Sequence, residues 1–356
     1  MSHTRRLPVY LVIDCSESMA GPAFEAVQNG LDTLLNDLRT DPNAIETVFI
    51  CVITFHAKAK IAVPLTDVPS FIRPKLVLGS GTSLGTALEL LLQRMNQEVI
   101  VQTADRKGDW KPLVFILTDG NPTDTWFNIA DIFLKTVSGR KANVVALACG
   151  PDVDTGTLRR ITPNVLSFKD HERPQFADFF KWISQSVQTT SAKFLSGAES
   201  GVTLPDLPSS LEMAPEGLQL PQEQFVFLLA KCQQHGGMQI LRHTRIPREV
   251  VIELRETRNI QLPLDRPLYI GAVSHPIEDF DLEGSRAGLR FSVASDQLLA
   301  PPACAGCGAK SWGHCGECEG IFCVPKQSQS QTCPWCGETG SYDSDSGAFE
   351  IGRGLG

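Results

Sequence analysis

Asp14, Ser16 and Ser18 stand at alternate positions directly after the apolar run Leu7 to Ile13. One carboxylate and two hydroxyls are hard oxygen donors, and a tight loop following a strand can aim all three at one point. That donor set suits Mg²⁺, which takes one or two carboxylates and keeps several waters. Two further segments carry matching chemistry. Gly79-Ser80-Gly81-Thr82-Ser83-Leu84 precedes a helical pattern, and Leu117-Thr118-Asp119-Gly120 closes the apolar run Leu113 to Leu117. Both are expected at the carboxyl edge of a parallel sheet, where open α/β folds bind ligands.

A second constellation lies far down the chain. Of eleven cysteines, Cys15, Cys51, Cys149 and Cys232 are scattered, and seven crowd between Cys304 and Cys336. Cys304-x-x-Cys307, Cys315-x-x-Cys318 and Cys333-x-x-Cys336 are three knuckle pairs, joined by Cys323. Each pair can offer two thiolates from one tight turn to a tetrahedral Zn²⁺, and Gly308 and Gly337 suit such turns. The run His314 to Cys323 resembles the middle of cross-braced double-zinc modules of the FYVE type. On that reading Cys315, Cys318, Cys333 and Cys336 close one site, while Cys304, Cys307 and Cys323 begin another, with His314 as a candidate fourth ligand. The alternative is a single ribbon site from Cys304, Cys307, Cys333 and Cys336. One or two structural zinc ions follow.

These groups need elements to position them. Leu7 to Ile13, Val48 to Phe55, Leu113 to Leu117 and Asn143 to Ala148 read as buried strands, near-continuously apolar as central parallel strands are. Between and after them lie helical patterns from Pro22 to Leu38, Leu84 to Met95, Asp124 to Val137, Thr155 to Ile161 and Phe176 to Val187, the first opened by Pro22 and stopped at Asp41-Pro42. Strands alternating with helices imply an α/β fold with a doubly wound, mostly parallel sheet over residues 1–190. Prolines, serines and glycines over 191–224 read as a linker. Short strands at Phe225 to Ala230, Met238 to His243, Val250 to Leu254 and Leu289 to Val293 then predict a small β-rich zinc module over 225–340. The Gly, Ser and acidic tail 341–356 reads as disordered.

The wording Leu11-Val12-Ile13-Asp14-Cys15-Ser16-Glu17-Ser18-Met19, followed by Thr82 after Gly81 and by Thr118-Asp119-Gly120, resembles the metal-ion-dependent adhesion site of von Willebrand factor A domains. With Val52-Ile53-Thr54-Phe55 and Gly81-Thr82-Ser83-Leu84-Gly85, the chain resembles the TerY-like branch of bacterial tellurium-resistance and stress clusters. The resemblance implies that Ser16, Ser18 and Thr82 give hydroxyls to Mg²⁺ (or Mn²⁺ or Ca²⁺) directly, while Asp14 and Asp119 hold the metal directly or through its waters. It also implies partners of the Ser/Thr kinase and PP2C-like phosphatase classes, and a role in tellurite or general stress response.

Composition narrows the function classes. A net charge of −8 and a pI near 5.4 argue against a nucleic-acid or anionic-membrane surface for the molecule as a whole. No apolar run is long enough to span a bilayer or act as a secretory core, and clustered thiols without a signal peptide favour a reducing cytoplasm. An aspartate-based phosphotransferase would want a second carboxylate where Ser16 stands. None of the seven histidines sits in a hydrolase motif, and no phosphate-binding glycine pattern occurs. The expectation is a non-enzymatic adaptor that captures a partner's acidic residue through Mg²⁺. The alternatives are a von Willebrand A subunit of an AAA+ chelatase-like assembly and a metal-dependent hydrolase.

Overall fold

The computed structural model describes residues 5–103, 107–119, 122–136, 142–150, 153, 155–170, 174–195, 204–214, 225–258, 262–263, 266–278, 291–325, 330–340 and 349–353. The chain divides into two compact units that change over near residue 220. Each is built around its own sheet.

The first unit carries β1 (Leu7–Asp14), β2 (Val48–Phe55), β3 (Ala59–Asp67), β4 (Leu113–Thr118), β5 (Asn143–Ala148), β6 (Val165–Phe168) and β7 (Leu211–Met213). They form one seven-stranded sheet in the order β3-β2-β1-β4-β5-β6-β7. The five central strands run parallel, and β3 and β7 close the edges antiparallel. Every residue of β1 is buried, which explains its unbroken apolar wording: both faces of a central parallel strand are covered. The helices are α1 (Pro22–Arg39), α2 (Pro42–Thr47), α3 (Leu84–Glu98), α4 (Phe127–Thr136), α5 (Thr155–Arg159) and α6 (Phe176–Leu195).

Alternate strand residues feed opposite layers. Tyr10, Val12, Ile53, Val114 and Ile116 share a core with Leu84, Leu88 and Leu91 of α3 and with Ala130 and Phe133 of α4. On the other face Phe115 meets Trp182 of α6 edge-on, with ring centroids 6.2 Å apart. There α1 and α6 approach so closely that a Cβ at Gly30 would lie 2.0 Å from the Phe180 ring. No larger residue than glycine fits without displacing the Phe180 ring.

The second unit contains β8 (Phe225–Lys231), β9 (Met238–Arg245), α7 (Arg248–Arg258), β10 (Tyr269–Ile277), β11 (Phe291–Ala294), β12 (Leu298–Leu299), β13 (Ser311–His314), β14 (Ile321–Val324), β15 (Gln331–Thr332), β16 (Thr339–Gly340) and β17 (Glu350–Arg353). Six of these strands form a sheet in the order β12-β10-β9-β8-β14-β13, while β11 pairs with β17 and β15 with β16. Val226, Leu228, Leu241, Tyr269, Ile321 and Ile351 make its small core.

Several sequence expectations need correction. The span 191–224 is not wholly a linker, because α6 continues through Leu195 and Leu211–Met213 hydrogen-bonds to β6 as the last strand of the first sheet. Val250 to Leu254 lies inside helix α7 rather than a strand; Val250 and Val251 turn their N–H groups back onto Pro247 O. The tail is partly structured. Glu350–Arg353 pairs with β11 and buries Ile351, whereas 341–348 and 354–356 lie outside the described residues.

Candidate metal centres

The strand order decides where the oxygen donors meet. β1 lies between β2 and β4, so the connections from β1 and β4 leave the sheet at a topological switch point, where a crevice opens at the carboxyl ends. Asp14 is the last residue of β1, and Thr118 is the last of the neighbouring β4. Asp119 follows at once.

The loops are stitched to one strand end. Cys15 N–H donates to Phe55 O at 2.7 Å and Ser83 N–H donates to His56 O at 2.7 Å, which hangs the Asp14 loop and the Thr82 loop on consecutive carbonyls at the end of β2. The loop after β4 holds Thr82 from its other side. Thr82 N–H donates to Thr123 Oγ1 at 2.9 Å, and Thr123 N–H returns a bond to Thr82 O at 2.9 Å. One residue further, the Asp124 carboxylate accepts the N–H groups of Gly85 and Thr86 at 3.1 and 2.9 Å and so caps α3 from outside its own sequence.

Within the crevice the donors are already linked. Asp14 is fully buried and accepts Ser16 N–H at 2.8 Å on one oxygen and Thr118 Oγ1–H at 2.5 Å on the other. The Ser16 and Ser18 hydroxyls lie 2.9 Å apart, and Ser18 donates to Asp119 Oδ1 at 2.6 Å. A hydroxyl whose proton is committed to Asp119 keeps lone pairs for a cation. Burial pushes the Asp14 carboxyl up to about 6, against the pull of its hydrogen bonds from Thr118 and Ser16.

Thr82 Oγ1 is the informative atom. It is buried and has no hydrogen-bond partner among the described residues. A buried hydroxyl without a partner costs about 1–3 kcal/mol, and a hard cation would remove that cost. Asp14, Ser16, Ser18, Thr82 and Asp119 therefore fit a small divalent ion in donor type, burial and unmet bonding capacity.

The thiols gather into two groups. Sγ atoms of Cys232, Cys304, Cys307 and Cys323 lie within 4.8 Å of one another, as do those of Cys315, Cys318, Cys333 and Cys336. In chain order the sets interleave, so each metal would brace the turn that holds the other. Four turns repeat one hydrogen-bond pattern, with the N–H four residues on donating back to the carbonyl of Cys232, Cys304, Cys315 and Cys333. The donor is in every case left-handed: Gly236 at φ 69°, Gly308 at 74°, Glu319 at 58° and Gly337 at 82°.

Cys232 is the residue that sequence reasoning missed. It supplies the fourth thiol in place of His314, whose ring instead stacks on Phe349 with centroids 4.7 Å apart. The single ribbon of Cys304, Cys307, Cys333 and Cys336 is likewise overturned, because these pairs belong to different groups. The usable signal was Cys232-Gln233-Gln234-His235-Gly236, which repeats the knuckle spacing with histidine at the second ligand position.

Ionisation is uneven within each cluster. In the first, burial pushes the Cys304 thiol up, but N–H donors from Gln239, Cys307 and Gly306 bring it down to about 7. Gln239 itself is buried, donates to Cys304 Sγ at 3.1 Å and accepts Ala305 N–H at 2.9 Å. In the second, Cys315 reaches about 6 by the same balance, its donors being the N–H groups of Cys318 and Glu317. Once one thiolate forms, its neighbours resist: burial first, then adjacent thiols and the Cys304 charge, hold Cys323 high. Four-thiol sets of this kind support Zn²⁺ binding.

The sheet order and the oxygen-lined edge define a von Willebrand factor A domain, and residues 9–182 match that family. Residues 222–356 match the TerY-C metal binding domain. The chain therefore belongs to the TerY-like von Willebrand A proteins. No curated protein matches it at the sequence level. Among solved structures, proximal thread matrix protein 1 of the mussel byssus is similar at 16% identity over 52% of this chain and 49% of that one, with TM-score 0.39. A von Willebrand A protein from Catenulispora acidiphila shows 18% identity over 52% and 43%, with TM-score 0.38. The chain thus spans just under half the length of these two. BatB from Bacteroides thetaiotaomicron shows 16% identity over 52% of this chain and 99% of that one, with TM-score 0.35.

Proposed function

We propose that this protein is a non-enzymatic adaptor whose first unit captures an acidic side chain of a protein partner through a divalent cation, Mg²⁺ best fitting the donors. The observation that carries this reading is the buried, unpartnered Thr82 hydroxyl beside a crevice otherwise lined by Asp14, Ser16, Ser18 and Asp119. Two carboxylates and three hydroxyls leave a hard cation under-neutralised and still attractive to one more anionic oxygen. An Asp or Glu of a partner meets that need. No phosphate-binding or nucleophile-base arrangement accompanies the donors in the sequence, which supports binding over turnover.

The TerY-like membership supports, as a working assignment, partners of the Ser/Thr kinase and PP2C-like phosphatase classes in a cytoplasmic stress response that includes tellurite. Among the described residues no helix is long and apolar enough to cross a membrane. The second unit, with its thiol clusters, offers a separate surface stabilised by Zn²⁺.

The test is retention of partners from a bacterial lysate on wild type, Thr82→Ala and Asp14→Ala, with Mg²⁺ present and zinc content measured in each sample. Partner retention by wild type and its loss from both variants, at unchanged zinc content, is the expected result. Equal retention by all three proteins would overturn the proposal. Turnover of phosphate or ester substrates that vanishes in Asp119→Ala would replace it with a hydrolase.

A further inference from the structure

The second unit holds a cavity of about 190 Å³ where β9 ends, α7 begins and the chain enters β10, and three of its lining residues are Arg245, Arg248 and Arg266. Its floor is apolar, from Val251 and Leu268, and is closed by the Ile246 N–H bond to Leu268 O at 2.8 Å. Arg266 pairs with Asp296 at 2.5 Å. The side chains of Arg245 and Arg248 have no ion pair or hydrogen bond among the described residues. Glu249, exposed in the first turn of α7, does not line the cavity. Among the described residues, three arginines thus line the cavity and one carboxylate, Asp296, pairs with one of them, in a chain whose formal net charge is −8.

We propose that this cavity recognises the phosphoryl group of a phosphorylated serine or threonine on a protein. Among the described residues, three arginine charges against Asp296 leave an excess of two, which matches a phosphate monoester near pH 7. Planar guanidinium forks suit phosphate oxygens better than a single carboxylate, which one arginine already satisfies. The positive end of α7, an eleven-residue helix beginning at Arg248, adds to the attraction. Size and lining argue against larger anions. The cavity is smaller than the roughly 300 Å³ at which ligand pockets begin to enclose drug-sized molecules, and among the described residues no aromatic ring lines it to stack a nucleotide base. A membrane or nucleic acid would call for an extended basic surface. This site is separate from the cation edge of the first unit, and neither reading depends on the other.

The experiment titrates the zinc-loaded full chain against fluorescent Ala-Gly-phosphoserine-Gly-Ala and its unphosphorylated counterpart, read by anisotropy. Saturable binding of the phosphopeptide only, displaced by inorganic phosphate, is expected. Arg245→Gln and Arg248→Gln should each weaken it about tenfold or more, at unchanged melting temperature and zinc content. Asp14→Ala should bind the peptide as wild type does. Equal affinity for both peptides would overturn the assignment, as would unchanged affinity in both arginine variants. Arginine-dependent binding to phosphatidylserine vesicles without binding to the phosphopeptide would overturn it in favour of a lipid surface.

Discussion

The two metal regions of this molecule solve opposite problems. At the oxygen edge, the sheet and its helices make a core that owes nothing to a cation, and the donors are pre-tied to one another through Asp14, Ser16, Ser18 and Asp119. Of these donors and Thr82, the Thr82 Oγ1 lacks a partner among the described residues. In the thiol region seven cysteines sit on tight turns and Cys323 in β14, beside a core of few residues, and each thiolate that forms opposes ionisation of its neighbours until a cation arrives. The difference separates a fold that carries a metal from a metal that carries a fold. A cation with a position left open can also serve recognition, while four thiolates close the coordination sphere and leave it structural.

Chelation should break the comparison most visibly. Structural Zn²⁺ contributes about 10–16 kcal/mol to small zinc modules, so a strong chelator should unfold the second unit and leave the first folded. Hydrogen exchange resolves this, with protection expected to vanish in β8, β9 and β14 and to persist in β1 and β4. Loss of protection in both sheets together would show that the first fold also depends on metal.

Cys232→Ser should come next in size. Removing one ligand of the first thiol group should lower bound zinc from two equivalents to one, read by metal analysis, while His314→Ala should keep both. The reverse pattern would restore histidine as a ligand.

The smallest effect is a pH dependence at the oxygen edge. Asp14 holds its proton up to about 6 when folded without metal, above the ordinary 3.8. The metal-free fold therefore loses stability from this group as pH rises from about 4 to 6, since the folded state keeps a proton that the unfolded chain releases. A bound cation competes with that same proton. The rise in melting temperature caused by Mg²⁺ should be small at pH 5 and grow through pH 6 to a plateau near 7, and a pH-independent Mg²⁺ effect would remove Asp14 from the site.

Much of this was legible in the sequence, for reasons that also explain the gaps. β1, β2, β4 and β5 are covered on both faces, so burial wrote itself as continuous apolar runs, and a carboxylate at the end of such a run was conspicuous at Asp14. β7 was hidden because an edge strand of three residues needs only β6 beside it, and its proline-rich surroundings resemble a linker. α7 reads locally as a β-branched strand; its capture by Pro247 and its exposed outer face override that propensity. Thr123 and Asp124 act through backbone groups of another loop, a relation that no local pattern records. Cys232 lies outside the cysteine-rich stretch, and it becomes a ligand only because β8 and β14 are neighbours in the sheet.

The interleaving of the two thiol sets has a consequence for how the protein is made. A growing chain emerges from the ribosome N-terminal end first, and domains generally fold as units in that order. The first unit has all its strands once β7 has emerged. Cys232 then leaves the ribosome bare and must wait through β9, α7 and β10 until Cys304, Cys307 and Cys323 follow, while the other set cannot close before Cys336. During that interval the nascent thiols are open to oxidants and to softer metals that outcompete zinc. The supply of zinc during translation thus decides whether the second half of the molecule is finished at all.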